Sequence, residues 1–258
     1  MKVVILAGGF GTRMAENCQY KPKPMVEIGG MPILWHIMKG YAYYGFDEFV
    51  ICAGYLQQVI KEWFNSYFLR SSDITFDYRN GKNELIVHQN RCEAWKVTIV
   101  DTGVGTMTGG RIKRIRPYVE GESFMVTYGD GVSDVNIKKL LDYHLEQGKL
   151  ATITAVSQKQ QKGILNIEDG VVRGFYEKDR AFDSIINGGY MVMEPKVFDY
   201  IKDDSTVFES DVLSRLACEG ELAAYKHDGF WQCMDSRLEM DRLEKLCAQN
   251  QAPWMIWK

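Results

Sequence analysis

The sequence predicts an α/β protein whose mostly parallel sheet is flanked by helices, and three observations carry that prediction. Short apolar, β-branched runs recur at 2–7, 48–53, 97–100 and 124–128. Stretches with apolar residues at helical spacing lie between them, and this alternation marks parallel strands joined by right-handed crossovers. Beyond residue 157 the rhythm shortens to close-set strands, which predicts antiparallel additions.

In chain order, 2–7 reads as a buried strand and 8–24 as a long loop of glycine, lysine and proline. A loop of that length inside a compact domain is usually functional. Residues 25–28 suggest a short extended piece, and Gly29-Gly30 a turn. Pro32 suits the first turn of a helix with Ile33, Ile37, Met38 and Tyr41 on its apolar face. A second buried strand at 48–53 is followed by a helix over 56–69 that stripes Val59, Ile60, Trp63, Phe64 and Tyr67. Residues 74–78 and 85–88, around the polar turn 79–83, predict a hairpin.

A strand at 97–100 leads into a polar loop over 102–110 and then a basic helix with Arg111, Lys113, Arg114 and Arg116. The strand at 124–128 runs directly into Gly129-Asp130-Gly131, and Ile137, Leu140, Leu141 and His144 stripe the next helix. After a strand at 151–156, short strands at 164–167 and 171–176 and a run at 184–193 read as the far wall of a cleft. Helices near 195–202 and 209–219, a strand at 222–226, a helix over 237–249 and an aromatic tail at 254–257 follow. One domain over 1–258 is expected. Residues 1–135 would form mainly one binding half, and 136–258 mainly the other half with the C-terminal helices.

Composition narrows the function. With 46% hydrophobic and 12% aromatic residues the chain can bury a sizeable core, which excludes a disordered protein. A net charge of −3 lacks the broad basic excess of nucleic-acid binders. Cys18, Cys52, Cys92, Cys218, Cys233 and Cys247 are widely spaced without a CxxC pair, so they read as structural thiols and not as zinc ligands. The first apolar run stops at Ala7, too short for a signal-peptide core, and nothing approaches the ~18 apolar residues of a membrane span. A cytoplasmic protein with no membrane or nucleic-acid partner is expected. His36, His88, His144 and His227 receive no catalytic role. Trp254 to Trp257 would suit either an interface or the core.

The chemistry concentrates at Gly8-Gly9-Phe10-Gly11-Thr12-Arg13 and Lys21-Pro22-Lys23-Pro24. Glycines after a buried strand let several backbone N–H groups converge on phosphate, and Arg13 and Lys23 can neutralise its charge. Taken alone, the loop reads equally as a tight strand exit, and Lys23 as an exposed loop lysine. The loop is neither a dinucleotide fingerprint nor a P-loop. Asp130, closing a hydrophobic strand, stands where open α/β sheets hold ligands, or serves as a turn acid. Asp235 is a possible metal ligand or the N-cap of the helix that follows.

These segments, with Asp101-Thr102-Gly103, Met107-Thr108-Gly109-Gly110-Arg111, Tyr128-Gly129-Asp130-Gly131, Ile186-Asn187-Gly188-Gly189, Gly229-Phe230-Trp231-Gln232 and Met234-Asp235, resemble the signature of sugar-phosphate nucleotidyltransferases. The matches span residues 3 to 254. The resemblance implies that family's Rossmann-like nucleotide-diphospho-sugar transferase fold and a Mg2+-dependent in-line displacement. In that reaction a cytidylyl group would pass from CTP to α-D-glucose 1-phosphate. Another nucleotide or acceptor, and a non-catalytic nucleotide-sugar sensor, are the alternatives.

By the same resemblance, Arg13 and Lys23 are catalytic. Leu6, Ala7, Gly8, Gly9, Gly11, Thr12, Arg13, Lys23, Thr106, Arg111 and Gly129 bind nucleotide. Tyr128, Glu177, Lys178, Asn187, Gly188 and Trp231 bind the sugar, and Asp130 and Asp235 hold the metal. A homo-oligomer is implied. The sequence departs from the family where Glu177-Lys178-Asp179 replaces Glu-Lys-Pro and where Lys162-Gly163-Ile164-Leu165 replaces a Phe-Gly-Ala-Leu type segment.

Overall fold

The computed structural model describes residues 1–14, 20–81, 83–119, 121–158, 164–168, 171–176 and 184–258, with backbone alone at 13, 80, 164–168, 172 and 174–176. Cys18, Glu177 and Lys178 lie outside the described residues. The elements begin with β1 (Val3–Ala7), β2 (Glu27–Ile28), β3 (Met31–Pro32), α1 (Ile33–Tyr43), β4 (Glu48–Ala53) and α2 (Gln57–Arg70). Next come β5 (Ser72–Asp77), β6 (Glu84–Asn90), β7 (Lys96–Asp101), α3 (Thr108–Arg114), α4 (Arg116–Val119), β8 (Phe124–Tyr128) and β9 (Gly131–Ser133). The remainder comprises α5 (Ile137–Gln147), β10 (Ala151–Gln158), β11 (Ile164–Glu168), β12 (Val171–Tyr176), β13 (Ser184–Met193), α6 (Ser214–Cys218), β14 (Leu222–His227), β15 (Trp231–Cys233) and α7 (Arg237–Ala248).

The central sheet has seven strands in the order β14-β10-β13-β8-β1-β4-β7. β1 is parallel to both β4 and β8, β4 to β7, and β10 to β14, whereas β13 runs antiparallel to β8 and β10. The mostly parallel sheet is as expected. Its antiparallel member lies inside the sheet, and β11 and β12 pair with each other in a separate two-stranded sheet.

β1 shows why its residues had to be apolar throughout. Val3, Ile5 and Ala7 point into one core, with Ile33, Ile37, Ile60, Trp63, Leu140 and Leu243 from α1, α2, α5 and α7. Val4 and Leu6 point into the other, with Ile112, Val119, Phe198, Phe208, Val212 and Leu216. Helices thus cover both faces, and each fully buried Val or Ile gains about 1.5–3 kcal/mol of transfer free energy.

The basic segment differs from expectation. Thr108, Gly109 and Gly110 are helical, not loop, and Arg116 begins a separate short helix. The glycines are required because the turn at 204–206 crosses the helix at backbone distance. A Cβ on Gly110 would stand 2.5 Å from the Asp204 Cα. The expected helices near 195–202 and 209–219 are a 3-10 helix at Pro195–Tyr200 and a π-helical turn at Phe208–Leu213 running into α6.

The aromatic tail belongs to the core. Trp254 is 1% exposed and stacks on Phe230 with ring centroids 5.5 Å apart. Its indole N–H donates to His36 Nδ1 at 3.3 Å, and His36 Nε2 donates to the Ile28 carbonyl at 2.8 Å. Burial, only partly offset by that carbonyl, pushes the imidazole down to about 4. The unfolded chain takes up this proton near pH 6.5 and the folded one does not. The corresponding stability, about 3 kcal/mol, is complete above about pH 6.5 and is lost as pH falls toward 4. The urea midpoint is therefore expected to fall between pH 7 and pH 4.5, and to fall less in His36→Gln. An equal fall in both proteins would contradict this account.

Candidate active site

The strand order sets the position of the site. β1 is joined to β4 on one side and to β8 on the other, so the loops leaving β1 and β8 part from each other at the carboxyl end of the sheet. Ligands of open α/β sheets bind in such a crevice. Here a cleft of about 450 Å³ opens, bordered by Leu6 to Thr12 after β1, Lys23 and Pro24, Val104 to Thr108, Arg111, Tyr128 to Asp130, and Asp235.

All the expected nucleotide-binding residues with described side chains therefore meet in one place, together with Tyr128 and both acids. For Arg13 only the backbone is described. Gly8 leaves β1 with its carbonyl turned inward, where it accepts from Tyr55 N at 3.2 Å and from Arg111 Nη2 at 3.0 Å. A Cβ on Gly8 would stand 2.1 Å from Arg111 Nη1, so the glycine is needed for the guanidinium to reach the loop.

Arg111 is 5% exposed, unlike a residue starting a basic surface helix. Its guanidinium also donates to the carbonyls of Gly103 and Val104 at 2.7 and 3.3 Å, and to Thr102 Oγ1 at 2.8 Å. Burial lowers its pKa, yet a guanidinium remains charged at neutral pH. It pins the glycine loop to the ends of β4 and β7 and places fixed positive charge at the cleft floor.

Lys23 follows Pro22 in a 3-10 turn, and its Nζ donates to Asp130 Oδ2 at 2.7 Å and to Asp235 Oδ1 at 2.5 Å. Burial alone would lower its pKa, but Asp130 and then Asp235 outweigh this and raise it, so the ammonium is held charged. The acids come from residues far apart in sequence. The β9-β15 ladder joins them: Gly131 pairs with Cys233, and Met234 N donates to the Asp130 carbonyl at 2.8 Å.

Asp235 is not the N-cap of α7. Ser236 caps the helix by accepting from Glu239 N, and Glu239 Oε2 accepts from Asp235 N at 2.7 Å and from Ser236 Oγ at 3.0 Å. This reciprocal capping leaves the Asp235 carboxylate to the cleft. The Cys233 thiol, pushed up to about 12 by burial and then by Asp235, stays protonated and donates to Asp235 Oδ2 at 3.2 Å.

Two carboxylates already share one cation in the Lys23 ammonium. Hard oxygen donors brought together in this way suit a divalent ion that takes one or two protein carboxylates and completes its shell with phosphate and water. Among the described residues no group of three or more His, Cys, Asp or Glu forms a fuller metal cage.

Tyr128, Asn187, Gly188 and Trp231 gather at the 187–189 stretch of β13. β13 reaches this region through a bulge, because Ile153 pairs with Met191 while Ala155 pairs with Asn187. One residue on β10 thus faces three on β13. Gly189, at φ +80°, makes the irregularity possible. Trp231 Nε1 donates to the Gly188 carbonyl at 2.7 Å, and Asn187 Oδ1 accepts from Gly189 N at 2.8 Å. Of these four only Tyr128 borders the cleft.

Sequence reasoning missed Gly54, Pro24, Thr108 and Glu209. Gly54 admits the Arg111 guanidinium, 2.5 Å from where its Cβ would be, and a glycine directly after the second strand was the available signal. Thr108 stood within a quoted motif. Glu209, bonded to both Tyr128 and Thr108, carries no local signal.

A glycine loop at a strand-order switch, with a lysine between two acids, defines a protein that manages polyphosphate. The chain belongs to the nucleotidyl transferase family, whose model matches residues 2–234. It is 51% identical over 259 residues to the glucose-1-phosphate cytidylyltransferase of Salmonella typhi, with 100% of both chains covered. A probable glucose-1-phosphate cytidylyltransferase of Bacillus subtilis is 45% identical over 258 residues, again with 100% of both covered. HddC from Yersinia pseudotuberculosis superposes with a TM-score of 0.69 at 24% identity, covering 96% of this chain and 99% of that one. An apo-UDP-glucose pyrophosphorylase gives 0.68 at 15%, covering 97% and 98%. These structures share the fold, and the expected nucleotide-diphospho-sugar transferase architecture is borne out.

Proposed function

We propose that the chain transfers a cytidylyl group from CTP to α-D-glucose 1-phosphate, releasing pyrophosphate and forming CDP-glucose. The convergence of Lys23 with Asp130 and Asp235 at the ends of β1 and β8 carries this reading. Full-length identity to glucose-1-phosphate cytidylyltransferases supplies the substrates.

A phosphate oxygen of the sugar phosphate attacks the α-phosphorus of CTP, and the bond from that phosphorus to the α,β-bridging oxygen breaks in line. Such a reaction demands positioning and charge more than covalent help. Backbone N–H groups of residues 8–12 bind the triphosphate, and Arg13 grips the leaving pyrophosphate. Lys23, kept protonated, supplies charge at the α-phosphate. Mg2+ on Asp130 and Asp235 would neutralise phosphate charge in the transition state. Thr106 and Arg111 face the nucleotide, while Tyr128, Glu177, Lys178, Asn187, Gly188 and Trp231 receive the sugar.

In this reading 1–135 is mainly the nucleotide half of one domain and 136–258 mainly the sugar half. Self-association belongs to the same proposal, supported by the exposed apolar row of Phe76, Leu85 and Val87 on the β5-β6 hairpin. So does a cytoplasmic location. No described helix is long and apolar enough to cross a membrane.

Incubation with glucose 1-phosphate and each of CTP, UTP, dTTP and GTP tests the reaction. Pyrophosphate release is expected to be at least about tenfold faster with CTP, since one well-matched base edge is worth about 1–3 kcal/mol. Comparable or faster release with another nucleotide would contradict the base assignment.

A further inference from the structure

The carboxylate of Glu209 has no place in the reaction described above, yet it joins two walls of the cleft. It sits in the π-helical turn Phe208–Leu213. Its Oε1 accepts from the Tyr128 hydroxyl at 2.5 Å and its Oε2 from Thr108 Oγ1 at 2.7 Å. Thr108 Oγ1 in turn accepts from Phe208 N at 2.9 Å, so its one hydrogen is committed to Glu209. π turns recur at functional sites, where a widened helix re-aims a side chain.

The target of this carboxylate is tightly defined. Tyr128 ends β8 two residues before Asp130, and its ring lies so close to Gly189 that a Cβ there would be 2.6 Å from Cδ2. The Asn187 side chain also hydrogen-bonds the phenol. The hydroxyl donates to Glu209 and accepts from Asn187.

We propose that Glu209 is the positioning residue of the acceptor half, fixing the Tyr128 ring and hydroxyl so that the sugar of the incoming sugar 1-phosphate meets one preset orientation. This rests on the proposed reaction for its substrate and on the Tyr128–Glu209 bond for its mechanism. Glu209 acts through Tyr128 and does not touch the reacting phosphates.

Glu209→Gln keeps the volume and removes the charge. The KM for glucose 1-phosphate is expected to rise about tenfold, the loss of one charge-assisted hydrogen bond. The KM for CTP and kcat should stay within about twofold, because Glu209 does not itself border the cleft and residues 8–12, Lys23 and Asp130 are unchanged. In a Tyr128→Phe background the same substitution should add little, since its target is gone. An equal rise in both KM values, or additive effects in the double variant, would overturn the proposal.

A second readout needs no turnover. With ring-13C-tyrosine, the Tyr128 Cζ resonance, assigned by its loss in Tyr128→Phe, is expected to shift in Glu209→Gln, and an unshifted resonance would overturn the mechanism. Wild-type protein inert with CTP and glucose 1-phosphate would instead refute the proposed reaction, leaving the resonance to decide the contact.

Discussion

Asp130→Asn is expected to reduce CTP-dependent pyrophosphate release about a thousandfold, the scale seen when a preorganised charge at a developing anion is removed. Asparagine preserves the shape of the side chain and its place after Gly129, whose N–H still donates to the Leu6 carbonyl at 3.0 Å. It cannot supply the second charged oxygen that Lys23 and a divalent ion both require. The Asp130 side chain is 30% exposed and sits at the edge of the sheet's carboxyl end. Folding should therefore change little, by about 1 kcal/mol. Steady-state kinetics together with thermal unfolding check both halves. Activity within tenfold of wild type would remove Asp130 from the chemistry, and a collapsed melting transition would make it a structural acid.

Lys23→Met carries the second large effect. It removes the cation that joins Asp130 and Asp235, leaving two carboxylates close together without compensation. Loss of charge at the α-phosphate is expected to lower kcat about a hundredfold or more. The same vacancy makes a divalent ion more welcome, because Mg2+ no longer has to displace an ammonium. The variant should melt lower than wild type in chelator and regain more stability when Mg2+ is added, a linkage of ligand binding to the folded state. Melting curves with and without Mg2+ measure this. An equal gain in both proteins would mean that Lys23 and the ion do not share one position.

Much of this was legible because it is local. β1, the glycines after it, and Asp130 at the end of β8 each announce themselves within a few residues, since buried strands need continuous apolar runs and their ends need glycine. What the sequence concealed depends on distant pairing. Asp235 reaches Asp130 only through the β9-β15 ladder, and its own neighbourhood suggested a helix cap that Ser236 in fact provides. Arg111 read as part of a basic helix, yet its guanidinium is enclosed by Gly8, Gly54 and the carbonyls of Gly103 and Val104. The sharp bend of β13 at Gly189 could be suspected from its glycine pair, but not the Tyr128 ring that fills it. Glu209 was invisible because an exposed acid and a carboxylate spanning two walls have the same letter.

The same distinction explains the sugar side. Its described residues, Tyr128, Asn187, Gly188 and Trp231, lie on β8, β13 and β15, whose antiparallel pairing fixes which side chains share a face. Trp231 illustrates the point: its indole is committed to the Gly188 carbonyl, so it braces β13 where the strand bends.

The most direct test of the central claim is a crystal structure with CTP and Mn2+ in place of Mg2+, read by anomalous scattering. The account predicts a metal peak at about 2.2 Å from carboxylate oxygens of both Asp130 and Asp235, with Lys23 turned to the α-phosphate and the triphosphate along residues 8–12. A triphosphate bound elsewhere, or a metal peak with neither acid as a ligand, would contradict it.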